Sequence, residues 1–297
     1  MSTSLRLWVL SGLLGLGFAA QAATASFAGL PDARQRELVV KLVAAVHAYA
    51  KDVQLTHDEW RGFIGFLHKV GAMSHDSRSE FGLLSDVTGL SSLVDLLSSV
   101  PGATPGSVLG PFHTAGSPWL PNPANLIGAN PGERMLLRGR VCSSDGTPLP
   151  QATLDFWQNA ANGLYWQVDP GQPSDNLRCQ LRMDADGRFE IATIRVVPYQ
   201  IPTDDPVWFD LVEPAQRSAW RPAHFHLIVA APGHRTLVTE LFDESDPYLD
   251  SDAVFGVREA LVGRCVPTTD PAACQRLGVP GPACLVMDVE FRLAPAL

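Results

Sequence analysis

Arg221-Pro222-Ala223-His224-Phe225-His226-Leu227-Ile228-Val229-Ala230-Ala231-Pro232-Gly233 is the stretch that decides how this chain is read. From His224 onward it has the composition of a strand, and Pro232-Gly233 is a turn signal that sends it back. Side chains alternate faces along a strand, so His224 and His226 share one face and Phe225 takes the other. Two imidazoles side by side on a rigid element are half of a metal site. The same pattern also suits two surface histidines, or one packed and one exposed. A cupin-type site would want a carboxylate a few residues further on, and the nearest downstream acid is Glu240. No His-Glu-x-x-His and no Cys-x-x-Cys occurs, so the zinc-protease and zinc-ribbon signatures are absent.

The chain has only four tyrosines, and two sit in segments that look built to hold them. Tyr165 follows a strand, Asp155-Phe156-Trp157, that ends in an Asn162-Gly163 turn. Tyr199 lies in a loop stiffened by Pro198 and Pro202. Tyr49 and Tyr248 read as packing residues.

At 297 residues and 46% hydrophobic, the chain can bury the core of a catalytic domain and still carry a helical section. A net charge of -9 argues against nucleic acid or an anionic membrane surface as partner. Arg6, the apolar run Leu7 to Ala20 and Ala20-Gln21-Ala22 have the form of a Sec-type signal peptide over residues 1–22, with an uncleaved anchor as the alternative. The run is short for a membrane span. Export to a periplasmic or extracellular compartment is therefore expected. A helical section is predicted over residues 23–105. Pro31 and Asp32 open a helix carrying Leu38, Leu42 and Val46, and capping boxes are read at Thr56–Glu59 and Ser77–Glu80. After Thr104-Pro105-Gly106 the pattern changes to short strands and Gly/Pro/Asp turns, which predicts an antiparallel β-sandwich over residues 106–297. The fold class is thus mainly β with α. An oxidising compartment would let two of Cys265, Cys274 and Cys284 pair. Cys142 and Cys179 either pair or stay as buried thiols.

Many of these segments, in this order, resemble the intradiol ring-cleavage dioxygenases, close to the catechol and hydroxyquinol 1,2-dioxygenases. They include Leu84-Ser85-Asp86-Val87, Gly110-Pro111-Phe112, Phe156-Trp157-Gln158-Asn159, Pro198-Tyr199-Gln200-Ile201-Pro202, Arg221-Pro222-Ala223-His224 and Ser251-Asp252-Ala253-Val254-Phe255. The resemblance implies one non-haem Fe(III) per chain, held by Tyr165, Tyr199, His224 and His226. Phenolate oxygen is a hard anionic donor suited to a ferric ion, and imidazole also suits iron. It further implies that an aromatic diol displaces Tyr199 while Tyr165 stays bound. With O2, cleavage between the two hydroxylated carbons would give a muconate- or maleylacetate-type product. Arg221 would stabilise carbanion-like charge on the ring. The pocket would draw on Leu83, Asp86, Gly110, Pro111, Phe112 and Val254. Asp86 either accepts a hydrogen bond from a third ring hydroxyl or is simply an acid at the end of a helix. In the family such helices form a homodimer interface.

Glu240 departs from the family pattern, which has glutamine or histidine there. A hairpin at Pro232-Gly233 would bring Glu240 level with the two histidines. There it would ionise and repel a diolate, stay protonated in an apolar pocket, pair with Arg221, or face harmlessly outward. Trp208 and Phe209 are a second departure, bulky where the family tends to small residues. The Glu240 departure keeps one alternative open, a non-catalytic exported carrier of aromatic diols or iron on the same fold.

Overall fold

A computed structural model describes residues 21–75, 78–268, 270, 274–275 and 284–296. The chain divides into two compact units, residues 1–67 and 68–297. Almost all of the expected signal segment, residues 1–20, lies outside the described residues.

In the first unit, α1 (Ala33–Asp52) starts at Asp32, whose carboxylate accepts from the Gln35 amide at 2.6 Å. The expected capping box opens α2 (His57–Met73): the Thr56 amide donates to Glu59 at 2.8 Å and the Glu59 amide to Thr56 Oγ1 at 3.3 Å. Helix α1 buries no side chain. Tyr49, expected as a packing residue, is 60% exposed on the same helix as Leu38, Leu42 and Val46, themselves 53%, 64% and 54% exposed.

In the second unit, α3 (Glu80–Val87) is capped by Ser79, which accepts from the Gly82 amide at 3.2 Å. The expected Ser77–Glu80 box is therefore replaced. Ser77 lies outside the described residues, and Glu80 instead pairs with Arg78 at 3.0 Å. Gly89, at φ 76°, ends α3, and α4 (Leu90–Leu97) follows at once. Thr104 and Ser107 then pin the connecting segment to the sandwich. Their amides donate to the carbonyls of Arg292 at 2.9 Å and Val238 at 3.1 Å.

Two five-stranded sheets follow. The first runs β1 (Ala124–Asn125), β5 (Arg188–Ile194), β2 (Arg134–Ser143), β12 (Leu285–Leu293) and β11 (Val266–Pro267). The second runs β10 (Val262–Gly263), β9 (Leu237–Asp243), β8 (His224–Ala230), β3 (Thr153–Trp157) and β4 (Arg178–Arg182). Apolar side chains of both sheets meet in one core. Met135, Leu137, Ile191 and Phe291 come from the first, and Leu154, Phe156, Phe225, Leu227 and Val229 from the second. The sheets are mixed rather than purely antiparallel: β2–β12, β1–β5 and β9–β10 are parallel pairs. Parallel partners need a long crossover, and most of the unit lies between β2 and β12 in sequence. A separate two-stranded ladder pairs β6 (Tyr199–Gln200) with β7 (Trp220–Arg221), so Tyr199 sits in a short strand rather than a loop. Tyr248 does pack, stacked on Trp220 with centroids 5.0 Å apart.

Near the C-terminus Cys274 and Cys284 form a disulfide; Cys142 and Cys179 are buried thiols and Cys265 is a half-buried one. Among the described residues no helix is long and apolar enough to cross a membrane.

Candidate active site

Strand β8 puts Phe225, Leu227 and Val229 into the core and turns His224 and His226 to the other face. The Pro232-Gly233 turn, with Gly233 at φ 72°, returns the chain as β9. That register places Glu240 opposite His226, and Trp157 of β3 lies opposite His226 on its other side. Trp157 stacks on His226 with centroids 4.9 Å apart and planes 3° from parallel.

The two histidine rings converge. His224 Nδ1 lies 2.6 Å from the Pro222 carbonyl, which can only accept, so Nδ1 carries the hydrogen and Nε2 presents its lone pair. His226 Nδ1 makes no hydrogen bond but lies 3.5 Å from Glu240 Oε1, a carboxylate that favours the hydrogen on that nitrogen. The two Nε2 atoms are then lone-pair donors 3.1 Å apart. Such a spacing is about that of two adjacent ligands on one metal ion, given metal–nitrogen bonds near 2 Å. Burial, then the Arg221 charge, lowers the His224 pKa from 6.5 to about 4, so the imidazole is neutral, the form that binds metals.

Both expected tyrosines join this cluster. The Tyr165 ring is 5.5 Å from Tyr199 and 6.1 Å from His226, while Tyr199 is 5.4 Å from His224. The Tyr165 hydroxyl is buried without a hydrogen-bond partner, an arrangement that costs free energy unless something else occupies its lone pairs. Burial, reinforced by Tyr199, raises the Tyr165 pKa well above 10. Burial also raises that of Tyr199, with Arg221 opposing it. Only a strong local cation would ionise these phenols. Two oxygens and two neutral nitrogens therefore fit a ferric ion.

Glu240 is fully buried and ion-paired. Burial pushes its pKa up, but Arg221 and the two imidazoles outweigh that and hold it at about 2. Of the four readings open from sequence, pairing with Arg221 is the one observed; the protonated and outward-facing ones are overturned. With His224 and His226 it forms a cluster whose ligand atoms lie within 4.8 Å of one another. Its two oxygens are already engaged, however. Arg221 donates to both, at 2.7 and 3.1 Å, and Ser107 Oγ donates to Oε2 at 2.6 Å.

Of the expected pocket residues, Phe112 stacks on Tyr165 with centroids 4.4 Å apart. Gly110, at φ 69°, lies beneath His226: an added Cβ would sit 3.0 Å from His226 Cε1. Gly110→Ala should therefore strain the backbone and displace the imidazole, lowering metal affinity about 10–100-fold in competition with a chelator. Asp86 is half-buried in α3. Its carboxyl pKa is raised by burial, against a hydrogen bond from Ser91, and Arg221 and Glu240 are among the charges acting on it. Val254 is buried beside Asp252, and Leu83 is buried in α3. No described contact ties Leu83 or Pro111 to the cluster. Trp208 and Phe209 open a short π-helical turn, Trp208–Val212, with Phe209 53% exposed. Sequence reading missed Ser107, Trp157 and Asp252 as site residues. Trp157 and Asp252 lay within matching segments, whereas nothing marked Ser107.

The neutral histidines set an acid limit for the metal-free protein. A His pKa lowered on folding means the unfolded chain binds the extra proton first, so stability is lost as pH falls below 6.5 toward 4. From pH 7 to pH 5, His224 alone should remove on the order of 2 kcal/mol, readable as a lower urea midpoint.

Comparisons with known proteins give the family. Residues 110–293 match the family model described as "Dioxygenase", and residues 32–102 match "Catechol dioxygenase N terminus". The chain is 41% identical to the 6-chlorohydroxyquinol 1,2-dioxygenase of Cupriavidus pinatubonensis, over 84% of this chain and 91% of that one. It is 39% identical to the hydroxyquinol 1,2-dioxygenase of a Rhizobium species, over 89% of this chain and 90% of that one. A solved hydroxyquinol 1,2-dioxygenase from Pseudomonas putida superposes with a TM-score of 0.83 at 39% identity, covering 95% of this chain and 99% of that one. The carrier alternative finds no support in these comparisons. The chain belongs to the intradiol ring-cleavage dioxygenases and is an enzyme that cleaves catechol-type diols.

Proposed function

We propose that this enzyme holds one Fe(III) with Tyr165, Tyr199, His224 and His226 and uses O2 to open rings of the hydroxyquinol class in preference to catechol. The observation that carries the metal assignment is the meeting of two imidazole Nε2 atoms 3.1 Å apart in one buried cluster with a partnerless phenol, whose ring lies 6.1 Å from that of His226. The substrate preference is supported by the names of the 39–41% identical relatives. Asp86, half-buried in α3, is the acid that the family resemblance offers to accept from a third ring hydroxyl.

Iron bound there would supply Lewis acidity toward the diol. Tyr199 would hold the ion in the resting enzyme and serve as a base toward the diol. Off the metal its buried phenolate is a strong base, because burial raises its pKa, and it takes one diol proton at Oη. Tyr165 would also hold the ion, its ring fixed by Phe112. Trp157 and the Pro222 carbonyl hold His226 and His224 in place. Both atoms of O2 enter the product, a maleylacetate-type acid from hydroxyquinol or a muconate from catechol.

Two further parts belong to this reading. Homodimerisation through the N-terminal helices is supported by the exposed Leu38, Leu42, Val46 and Tyr49. Export is supported by the Cys274–Cys284 disulfide.

The first test is the visible spectrum of the iron-loaded protein, followed by assays with hydroxyquinol and catechol. A broad phenolate-to-Fe(III) band that shifts on adding diol is the expected result. A protein that stays colourless after iron reconstitution would sink the tyrosinate site.

A further inference from the structure

Glu240 stands where the family pattern has glutamine or histidine, and against glutamine it adds a charge without adding bulk. The carboxylate is 0% exposed and firmly held. Arg221 donates to Oε1 at 2.7 Å and to Oε2 at 3.1 Å, and Ser107 Oγ lies 2.6 Å from Oε2. Gly256 packs so closely that an added Cβ would fall 2.8 Å from the same oxygen.

Arg221 does not cancel this charge, because it already has a carboxylate partner. Asp252 accepts from its Nε at 3.0 Å and from its Nη2 at 3.3 Å, and is itself buried. With glutamine in place of Glu240 the group would be a neutral Arg–Asp pair. With glutamate it carries one surplus negative charge. That charge lies against the proposed metal ligands: Oε1 is 3.4 Å from His224 Nε2 and 3.5 Å from His226 Nδ1. A fixed negative charge in a site poor in water favours the state of a bound cation that carries more positive charge. A carboxylate facing the outer nitrogen of a ligand histidine acts in the same direction, because it raises the basicity of that ligand. Ferric iron exceeds ferrous by one charge, so both effects lower the reduction potential. An electron-rich diol gives this a use. A third electron-donating hydroxyl makes the ring easier to oxidise. One electron passing from diol to iron would leave ferrous iron and a one-electron-oxidised diol in place of the cleaved product.

We propose that Glu240 is an electrostatic positioning residue: its surplus charge biases the histidine–tyrosine cluster toward Fe(III) over Fe(II) and guards it against reduction by its own electron-rich substrate. This deepens the functional reading above and rests on it.

Glu240→Gln is the test, because it removes the charge and keeps the shape. The amide oxygen can still accept from Arg221. Its NH2 can donate to Ser107 Oγ, which has the Gly256 carbonyl 2.8 Å away to take its own hydrogen. In iron-loaded protein titrated against a redox dye without O2, the Fe(III)/Fe(II) equilibrium should move toward Fe(II) by about tenfold or more, about 59 mV per tenfold for one electron. Hydroxyquinol added without O2 should also bleach the ferric band of the variant faster than that of the wild type. A second readout needs no redox chemistry: gallium(III) and zinc(II) binding to the metal-free protein, each in competition with nitrilotriacetate. The ratio of gallium to zinc affinity should fall about tenfold or more in the variant. Glu240→His, the other residue of the family pattern, replaces the Gln variant if that one does not fold, and should shift both readouts the same way. An unchanged potential in a folded variant overturns the proposal, and so does an unchanged gallium-to-zinc ratio. A wild type that takes up no trivalent ion overturns the functional reading, and this proposal with it.

Discussion

Tyr165→Phe should give a protein that is folded, colourless and inactive. The change removes one oxygen and keeps the ring that stacks on Phe112. In the metal-free protein that oxygen is buried without a partner, so deleting it relieves an unsatisfied polar group, and thermal stability should hold or rise slightly. In the loaded protein the same oxygen is a proposed metal ligand, and its loss should lower iron affinity by at least about a hundredfold, with the visible band absent and turnover below detection. The two halves of the result exclude each other's trivial explanations. A destabilised variant would mean that the hydroxyl has a structural partner. A stable, coloured and active one would remove Tyr165 from the metal site. Iron content, the visible spectrum and a melt of the metal-free form are the measurements.

Phe225→Ala should fail in the opposite way. Phe225 lies between the two histidines in sequence, but it faces the sandwich core at 0% exposure, with its ring 5.6 Å from Phe156. Truncation leaves a cavity between the sheets and should cost about 3–5 kcal/mol in a denaturant titration. His224 and His226 keep their own contacts on the other face, so the fraction that folds should still load iron and show the wild-type band. Equal loss of stability and of intrinsic iron affinity would contradict the division of faces along β8.

This division of faces is legible in the amino-acid sequence alone, because the strand period is two and Pro232-Gly233 marks where the register turns. The Thr56–Glu59 cap is legible for a similar reason: both partners lie within one helical turn. The pairing of β2 with β12 is not, since side-chain alternation is the same in parallel and antiparallel partners. The hairpin makes Glu240 a neighbour of the histidines, yet its charge state depends on groups that sequence reasoning could not place. Asp252 is 31 residues from Arg221, and Ser107 is 133 residues from Glu240. Without them, protonated and ionised carboxylates are equally open. The four expected metal ligands do come together, two on one strand by periodicity and two tyrosines through the family resemblance.

The elements that carry the proposed ligands differ in how firmly they are held. Strand β8 has a hydrogen-bonded neighbour on each side, β9 and β3, within a five-stranded sheet. Tyr199 sits in a ladder only two residues long. Opening β8 requires breaking the sheet, whereas opening β6 breaks little. Amides around His224 and His226 should therefore exchange with deuterium only through global unfolding, and those around Tyr199 through cheap local excursions. Bleaching of the bound iron would then track loss of the whole sandwich. The phenolate proposed to step aside for each incoming diol is thus mounted on a two-residue ladder rather than on the five-stranded sheet that carries the histidines.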